Sequence, residues 1–204
     1  MNREEGEYRA LRHRGSPALR WHARLAVAVL VAATGSAGAG QQADVWIQRS
    51  PKLGVKRLVT PAHVTLEYPN KDWIVLPAGG FMLLSLAEKS GLALVQLERV
   101  RLNQPLTPDE VTDLFTELEA RTIRDRHPDA KGFVSRVATV GKQRVVILQF
   151  DRVGTVGDER VRQYSVPVGD SLYRLVCAAS TGQFARVEVV FAHMAASLLV
   201  EGSE

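Results

Sequence analysis

The sequence predicts an α+β fold in which an antiparallel β-sheet is flanked by helices. Three observations lead there. Short segments rich in Val, Leu, Tyr and Phe are punctuated by Gly, Pro, Asn and Asp at hairpin spacing, one segment of helical period interrupts them midway, and a second closes the chain. Single strands do not alternate with single helices, and neither a G-x-G-x-x-G nor a G-x-x-x-x-G-K-[ST] run occurs. Both absences argue against a doubly wound nucleotide-binding fold.

The strands come first. Residues 63–68 alternate apolar and polar side chains and stop at Pro69-Asn70, a pair suited to a reversal, so residues 73–76 are expected to return as its hairpin partner. Pro77-Ala78-Gly79-Gly80 breaks that strand. Residues 81–87 form the next, and Glu88-Lys89-Ser90-Gly91 turns the chain into a fourth over 92–102. A helix is then expected from Pro108. Thr107 suits its N-cap, Pro108 its first position, and Glu110 completes a capping box. Val111, Leu114, Phe115 and Leu118 recur at helical spacing as the inward stripe, and His127-Pro128 ends the helix. Two further hairpins follow, 133–140 with 143–153 around Gly141-Lys142, and 160–168 with 172–178 around Gly169-Asp170. Pro167 cannot donate to a ladder and belongs at an edge or beside a turn. Residues 184–200 carry Val187, Val190, Phe191, Met194 and Leu198 on one helical face. The chain thus closes on a second helix, and Phe115 and Phe191 are the expected anchors of the two.

The 204 residues include 26 Lys+Arg, 22 Asp+Glu and one cysteine, a composition that excludes fibrous, disulfide-rich and fully disordered classes. The excess of basic charge sits in the first 39 residues, which hold six Arg against three Glu. The near-neutral remainder gives no electrostatic reason to bind nucleic acid. Arg12, Arg14, Arg20 and Arg24 precede an apolar run over 25–33, and small residues follow it. As a helix that run spans about 14 Å, against the ~30 Å of hydrocarbon a spanning helix must cross. The layout is that of a secretory signal, with cleavage expected after Ala39 in Ala37-Gly38-Ala39. Contact with a membrane is expected through this leader alone, if it stays uncleaved. The organisation follows: a signal peptide over 1–39, a linker over 40–61, one domain over 62–200 and a short tail over 201–204. The protein is expected outside the cytoplasmic membrane, in the periplasm or secreted.

Catalytic and metal chemistry find little to work with. His63, His127 and His193 are far apart in sequence, which does not suit a zinc site, and none is expected to be catalytic or a metal ligand. His193 falls on the last helix. His127 sits at a helix end, where a cation would face the dipole favourably. Strand alternation groups Cys177 with Tyr173 and Leu175, a pattern that buries the thiol, and a lone cysteine forms no internal disulfide. Asp109, Glu110 and Asp113 suit a helix start, while Arg121, Arg124, Arg126 and Lys131 are balanced by Glu119, Asp125 and Asp129 at a solvated helix end. No cofactor is expected.

Several stretches resemble the PsbP-like family. Tyr173-Arg174-Leu175-Val176-Cys177-Ala178, then Gln183-Phe184-Ala185, Phe191 and Ala196-Ser197-Leu198, are similar to that family's last strand and helix, and Tyr68-Pro69 with Trp73 to its opening hairpin. The family takes its name from an extrinsic protein of the photosystem II oxygen-evolving complex and includes many exported bacterial proteins. The resemblance implies an α/β/α sandwich around an antiparallel sheet. No functional residue of the photosystem protein matches this chain, and the lipobox cysteine of the lipoprotein members is absent. The expected function is therefore a non-catalytic binding or assembly module for an envelope protein complex or a small ligand. The alternative is an extracytoplasmic enzyme whose site is assembled from dispersed loops. The expected contact surface is a set of loops: Asp158, Glu159 and Arg160 together with Pro77, Gly79 and Gly80.

Overall fold

The computed structural model describes residues 46–49, 55–60, 64–69, 71–154 and 157–200. The leader, its expected cleavage site, His63 and the C-terminal tail lie outside them. No helix among the described residues is long and apolar enough to cross a membrane.

The strands are β1 (Trp46–Arg49), β2 (Val55–Val59), β3 (Val64–Pro69), β4 (Trp73–Leu76), β5 (Met82–Glu88), β6 (Ala93–Arg101), β7 (Lys131–Val140), β8 (Gln143–Gly154), β9 (Gly157–Val168), β10 (Ser171–Ser180) and β11 (Leu199–Val200). Two helices, α1 (Asp113–Arg126) and α2 (Phe184–Ser197), fall where the sequence asks for them. A large sheet runs β4-β5-β6-β10-β9-β8-β7 and a small one β1-β2-β3-β11, every described pairing being antiparallel. This is the α+β architecture expected, with one helix on each face of the large sheet.

Four expectations are corrected. The stretch read as a linker contains β1 and β2, which pair with each other, and β2 continues onto β3. Their Gln48, Arg49, Lys56 and Arg57 break the apolar alternation, but a ladder needs only backbone donors and acceptors, so the pairing leaves little trace in the residue pattern. Strands β3 and β4 do not form a hairpin: β3 pairs with β2 and β11, β4 with β5, and the chain changes sheet between them. The helix expected from Pro108 begins as a single 3-10 turn over Pro108–Glu110, and α1 proper starts only at Asp113 behind Thr112. Glu110 does reach back as the capping box requires, accepting from the Thr107 amide (2.7 Å) and from its hydroxyl (2.8 Å). Finally, α2 ends at Ser197, and Leu199–Val200 leave it to pair with β3.

Strand alternation divides the interior into two cores. On the α2 side, Phe184, Val187, Phe191, Met194 and Ala195 meet Leu84, Leu86, Val95, Leu97, Leu175 and Cys177 of the large sheet and Val64, Leu66 and Tyr68 of the small one. The Phe191 ring packs edge-on to Trp73 (centroids 6.2 Å apart) and against Phe184 (5.7 Å). Gly141, in the β7–β8 turn at φ +62°, is required by this packing, because a Cβ there would lie 2.8 Å from the Ala196 carbonyl oxygen. Pro167 lies beside the β9–β10 turn, beyond the last β8–β9 pair at Val146 and Ser165, so its missing donor breaks no described bond to β8.

On the other side, Ala120 and Ile123 of α1 and Val111 cover Val146, Leu148, Phe150 and Val161. Coverage there is incomplete. Strands stand ~4.8 Å apart, so seven strands present a face about 29 Å wide, against the ~10–12 Å width of a helix. α1 packs over β7 and β8. The β4–β6 half of that face is only partly covered: Ile74 is exposed and Leu94, Gln96, Glu98 and Val100 are half-buried, while Met82, Ser85 and Ala87 of β5 between them are buried.

Candidate functional site

Arg174 occupies the middle of β10 on the α1 side, between Leu172 and Val176 on the same face of the strand. A guanidinium there must be paired, since an isolated buried charge is far costlier than a buried apolar group. Glu119 of α1 provides the pair. Its carboxylate accepts from Arg174 Nε (2.9 Å) and Nη2 (2.6 Å), and also from Gln163 Nε2 and Ser165 Oγ of β9, both at 3.0 Å. All four groups are buried. The network holds α1 in one rotation.

That rotation overturns the expected inward stripe. Thr116, Glu119, Ala120 and Ile123 face the sheet, Phe115 is half-buried, and Leu114 and Leu118 stand on the outside, 67% and 53% exposed. Glu119, read in the sequence as part of a solvated helix end, is instead the residue that sets the helix orientation. One sequence signal pointed to it: a lone arginine in the middle of an otherwise apolar strand.

The outer side of the network is unfinished. Glu98 of β6 stands directly across from Arg174 in the ladder, on the same face, yet the two side chains do not pair. Arg174 Nη1 is buried without a hydrogen-bond partner among the described residues, as is the Ser85 hydroxyl on β5, two rungs away along the same face. Burial raises the Glu98 carboxyl above its ordinary value, with Arg174 foremost among the groups that pull it back. This half of the sheet therefore offers a carboxyl with no hydrogen-bond donor among the described residues, beside half-buried Gln96 and Val100 and across from Met82.

A second cluster lies at the far end of the same face. His127 caps α1, its amide donating to the Ile123 carbonyl (2.8 Å), and its ring stacks on Phe150, which stacks in turn on Phe133. Arg152 Nη1 lies 3.1 Å from His127 Nε2, and since a guanidinium only donates, Nε2 is the acceptor and the imidazole is neutral. Burial first and Arg152 second lower this histidine, so the expected cation at the helix end is corrected to a neutral ring. Arg152 also meets Glu159 at 3.5 Å, and burial raises the Glu159 carboxyl. Gly154 makes room for that carboxylate, because a Cβ on it would overlap the Glu159 side chain.

The residues expected to form one contact surface are separated. Asp158, Glu159 and Arg160 belong to β9, not to a loop. The Asp158 carbonyl accepts from the Thr181 amide (3.0 Å), Glu159 is tucked against Arg152, and Arg160 holds Asp151 through two bonds (2.7 and 3.0 Å). The register places them at the end of the sheet where Ser180 pairs with Glu159 and Ala179 with Ala93. Pro77, Gly79 and Gly80 join β4 to β5 at the opposite end, near the Met82–Glu98 pair. These two segments cannot share a small contact patch.

Cys177, His193 and Glu110 behave as the sequence indicates. Cys177 is fully buried, and burial pushes its thiol far above the ordinary range, which makes it inert as a nucleophile. His193 is 46% exposed on α2, 3.6 Å from Glu67. Hydrogen bonds from Thr107 lower Glu110, in keeping with a role at the start of a helix. Among the described residues no group of three His, Cys, Asp or Glu side chains is placed to hold a metal ion.

No protein-family model matches the chain, and no curated protein matches it in sequence. Solved structures do. The solution structure of cyanobacterial PsbP (CyanoP) from Synechocystis sp. PCC 6803 aligns with a TM-score of 0.54 at 15% identity, over 82% of this chain and 99% of that one. A protein from Bacteroides thetaiotaomicron aligns with a TM-score of 0.50 at 10% identity, covering 73% of this chain and 49% of its own. The chain has the PsbP-like fold.

Proposed function

We propose that the chain is an exported, non-catalytic binding or assembly module acting on an envelope protein complex, and that it makes contact through the partly covered β4–β6 half of its α1-side face. Glu98 carries this reading. A carboxyl on an otherwise half-apolar surface, with no donor among the described residues, is suited to a partner that brings a cationic or N–H donor into an apolar contact. Val100 and the cross-strand Met82 are its apolar neighbours, and Leu94 with Ile74 continues the same face farther along the sheet. Export rests on the leader: a basic segment, a short apolar run and Ala37-Gly38-Ala39 in that order.

The test is capture of the chain's partner from native envelope extracts with Glu98→Lys and Val100→Asp variants. Both should lose the partner. Because both positions are half-buried and Glu98 stands across from Arg174, both are also expected to lower the thermal midpoint, so Glu98→Gln, which removes the charge and keeps the shape, is captured beside them at a temperature where all three are folded and should also lose the partner. Retention by all three variants would count against this surface. The enzyme alternative has one observation in its favour, the pair of acid–base groups on either side of Arg152, His127 lowered and Glu159 raised by burial. Hydrolytic turnover abolished by His127→Ala would replace the binding reading with that one.

A further inference from the structure

Leu114 and Leu118 are one helical turn apart on the outer face of α1, and the Glu119–Arg174 pair prevents the helix from rolling them inward. The charges around them are segregated by sign. Asp109, Glu110 and Asp113 are exposed on the N-terminal side of the ridge, Glu117 between the two leucines, and Arg121, Arg124 and Arg126 on the C-terminal side, where Asp125 and Asp129 are the exceptions. Arg124 additionally covers the Phe133 ring at 4.5 Å, which fixes where its charge sits.

We propose that this ridge is the contact surface for a second copy of the chain, packed α1 against α1 in antiparallel fashion about a two-fold axis. Such an arrangement lays Leu114 of one copy over Leu118 of the other, on both sides of the axis. It also brings each acidic half against a basic half and opposes the two helix dipoles. A parallel arrangement would set like charges together. Self-complementarity of this kind favours a second copy over an unrelated partner, which would need the same gradient in reverse. One helix pair buries less than the ~800 Å² per partner of a standard interface, so the dimer is concentration-dependent, and its charge pairing weakens with salt. The ridge stands over β7 and β8 and shares no residue with the proposed partner surface on β4–β6, so either can fail without the other.

The experiment is sedimentation velocity of the purified chain over a wide concentration range, in low and high salt, on wild type, Leu118→Asp, Asp113→Arg, Arg121→Glu and the Asp113→Arg/Arg121→Glu double variant. Leu118→Asp should be monomeric throughout. Each single charge reversal should weaken association about tenfold, and the double variant, which exchanges the two signs at positions that face each other across the axis, should recover most of it. All three positions are exposed, so circular dichroism should report unchanged folds. A wild type that stays monomeric at every concentration overturns the proposal. So does a dimer that all the single variants retain, or a double variant no better than either single one.

Discussion

The two helices flank the same sheet and are held by different physics. α2 is seated by an apolar stripe of Phe184, Val187, Phe191 and Met194 that locks into two sheets at once. α1 is seated by a buried ion pair, and the apolar side chains that would have seated it by the usual rule, Leu114 and Leu118, point outward. Burial of apolar area is non-directional and tolerates small rotations, whereas a carboxylate that accepts four hydrogen bonds admits one rotation only. The α2 side is therefore built for stability. The α1 side combines a fixed helix orientation with an exposed ridge and a partly covered stretch of sheet, which is where contacts to other molecules are expected.

The largest expected effect falls on the α2 side. Phe191 is fully buried between Trp73 and Phe184, and Phe191→Ala should cost roughly 3 to 5 kcal/mol in urea denaturation. Phe115, its counterpart on α1, is only half-buried, and Phe115→Ala should cost less than half as much. Equal losses at the two positions would remove the contrast between the helices.

Next comes the pair itself. Glu119→Ala leaves Arg174 charged and buried, a change of about 3 kcal/mol, at the low end of the range for broken buried pairs because Glu98 stands across the ladder to take up part of the charge. Replacing both members, Glu119→Leu with Arg174→Met, should recover most of that loss, since an apolar pair of similar volume has no desolvation to offset. A double variant as unstable as Glu119→Ala alone would mean that the network contributes more than its charges.

The same contrast decides how much could be read in advance. The element order, the two helices, Cys177 in the core and the role of Phe191 all follow from periodicity and turn residues, because α2 and its strands obey the apolar rule. The α1 face does not. A stripe of Val111, Leu114, Phe115 and Leu118 predicts one orientation, and a single Arg174 on a distant strand imposes the opposite one, which no local window contains. The separation of Asp158 from Pro77 is likewise a matter of strand order, since β4 and β9 are joined in space only through β5, β6 and β10. Strands β1 and β2 were missed because pairing needs only backbone, and their residues carry no alternation.

The smallest expected effect is in pH dependence, and its sign differs between the two sides. On the α2 side, Glu88 is bound through both oxygens to Arg186 (2.7 Å each), and these bonds lower its carboxyl. It therefore contributes stability above the unfolded-state value, and that contribution is lost as pH falls through the lowered folded value. On the α1 side, Glu98 is raised by burial, with Arg174, Arg126 and Arg152 pulling it down and Glu119 pushing it up. Its contribution is fully present below the ordinary carboxylate range and is lost as pH rises through the raised value. Glu98→Gln removes that loss, so the variant should gain on wild type as pH is raised from about 4 to about 8, while Glu88→Gln should fall further behind over the same interval. Urea midpoints measured across that range check both slopes. If the two difference curves run in the same direction, Glu98 is not the desolvated, donor-free carboxyl described, and its place at the centre of the proposed contact surface goes with it.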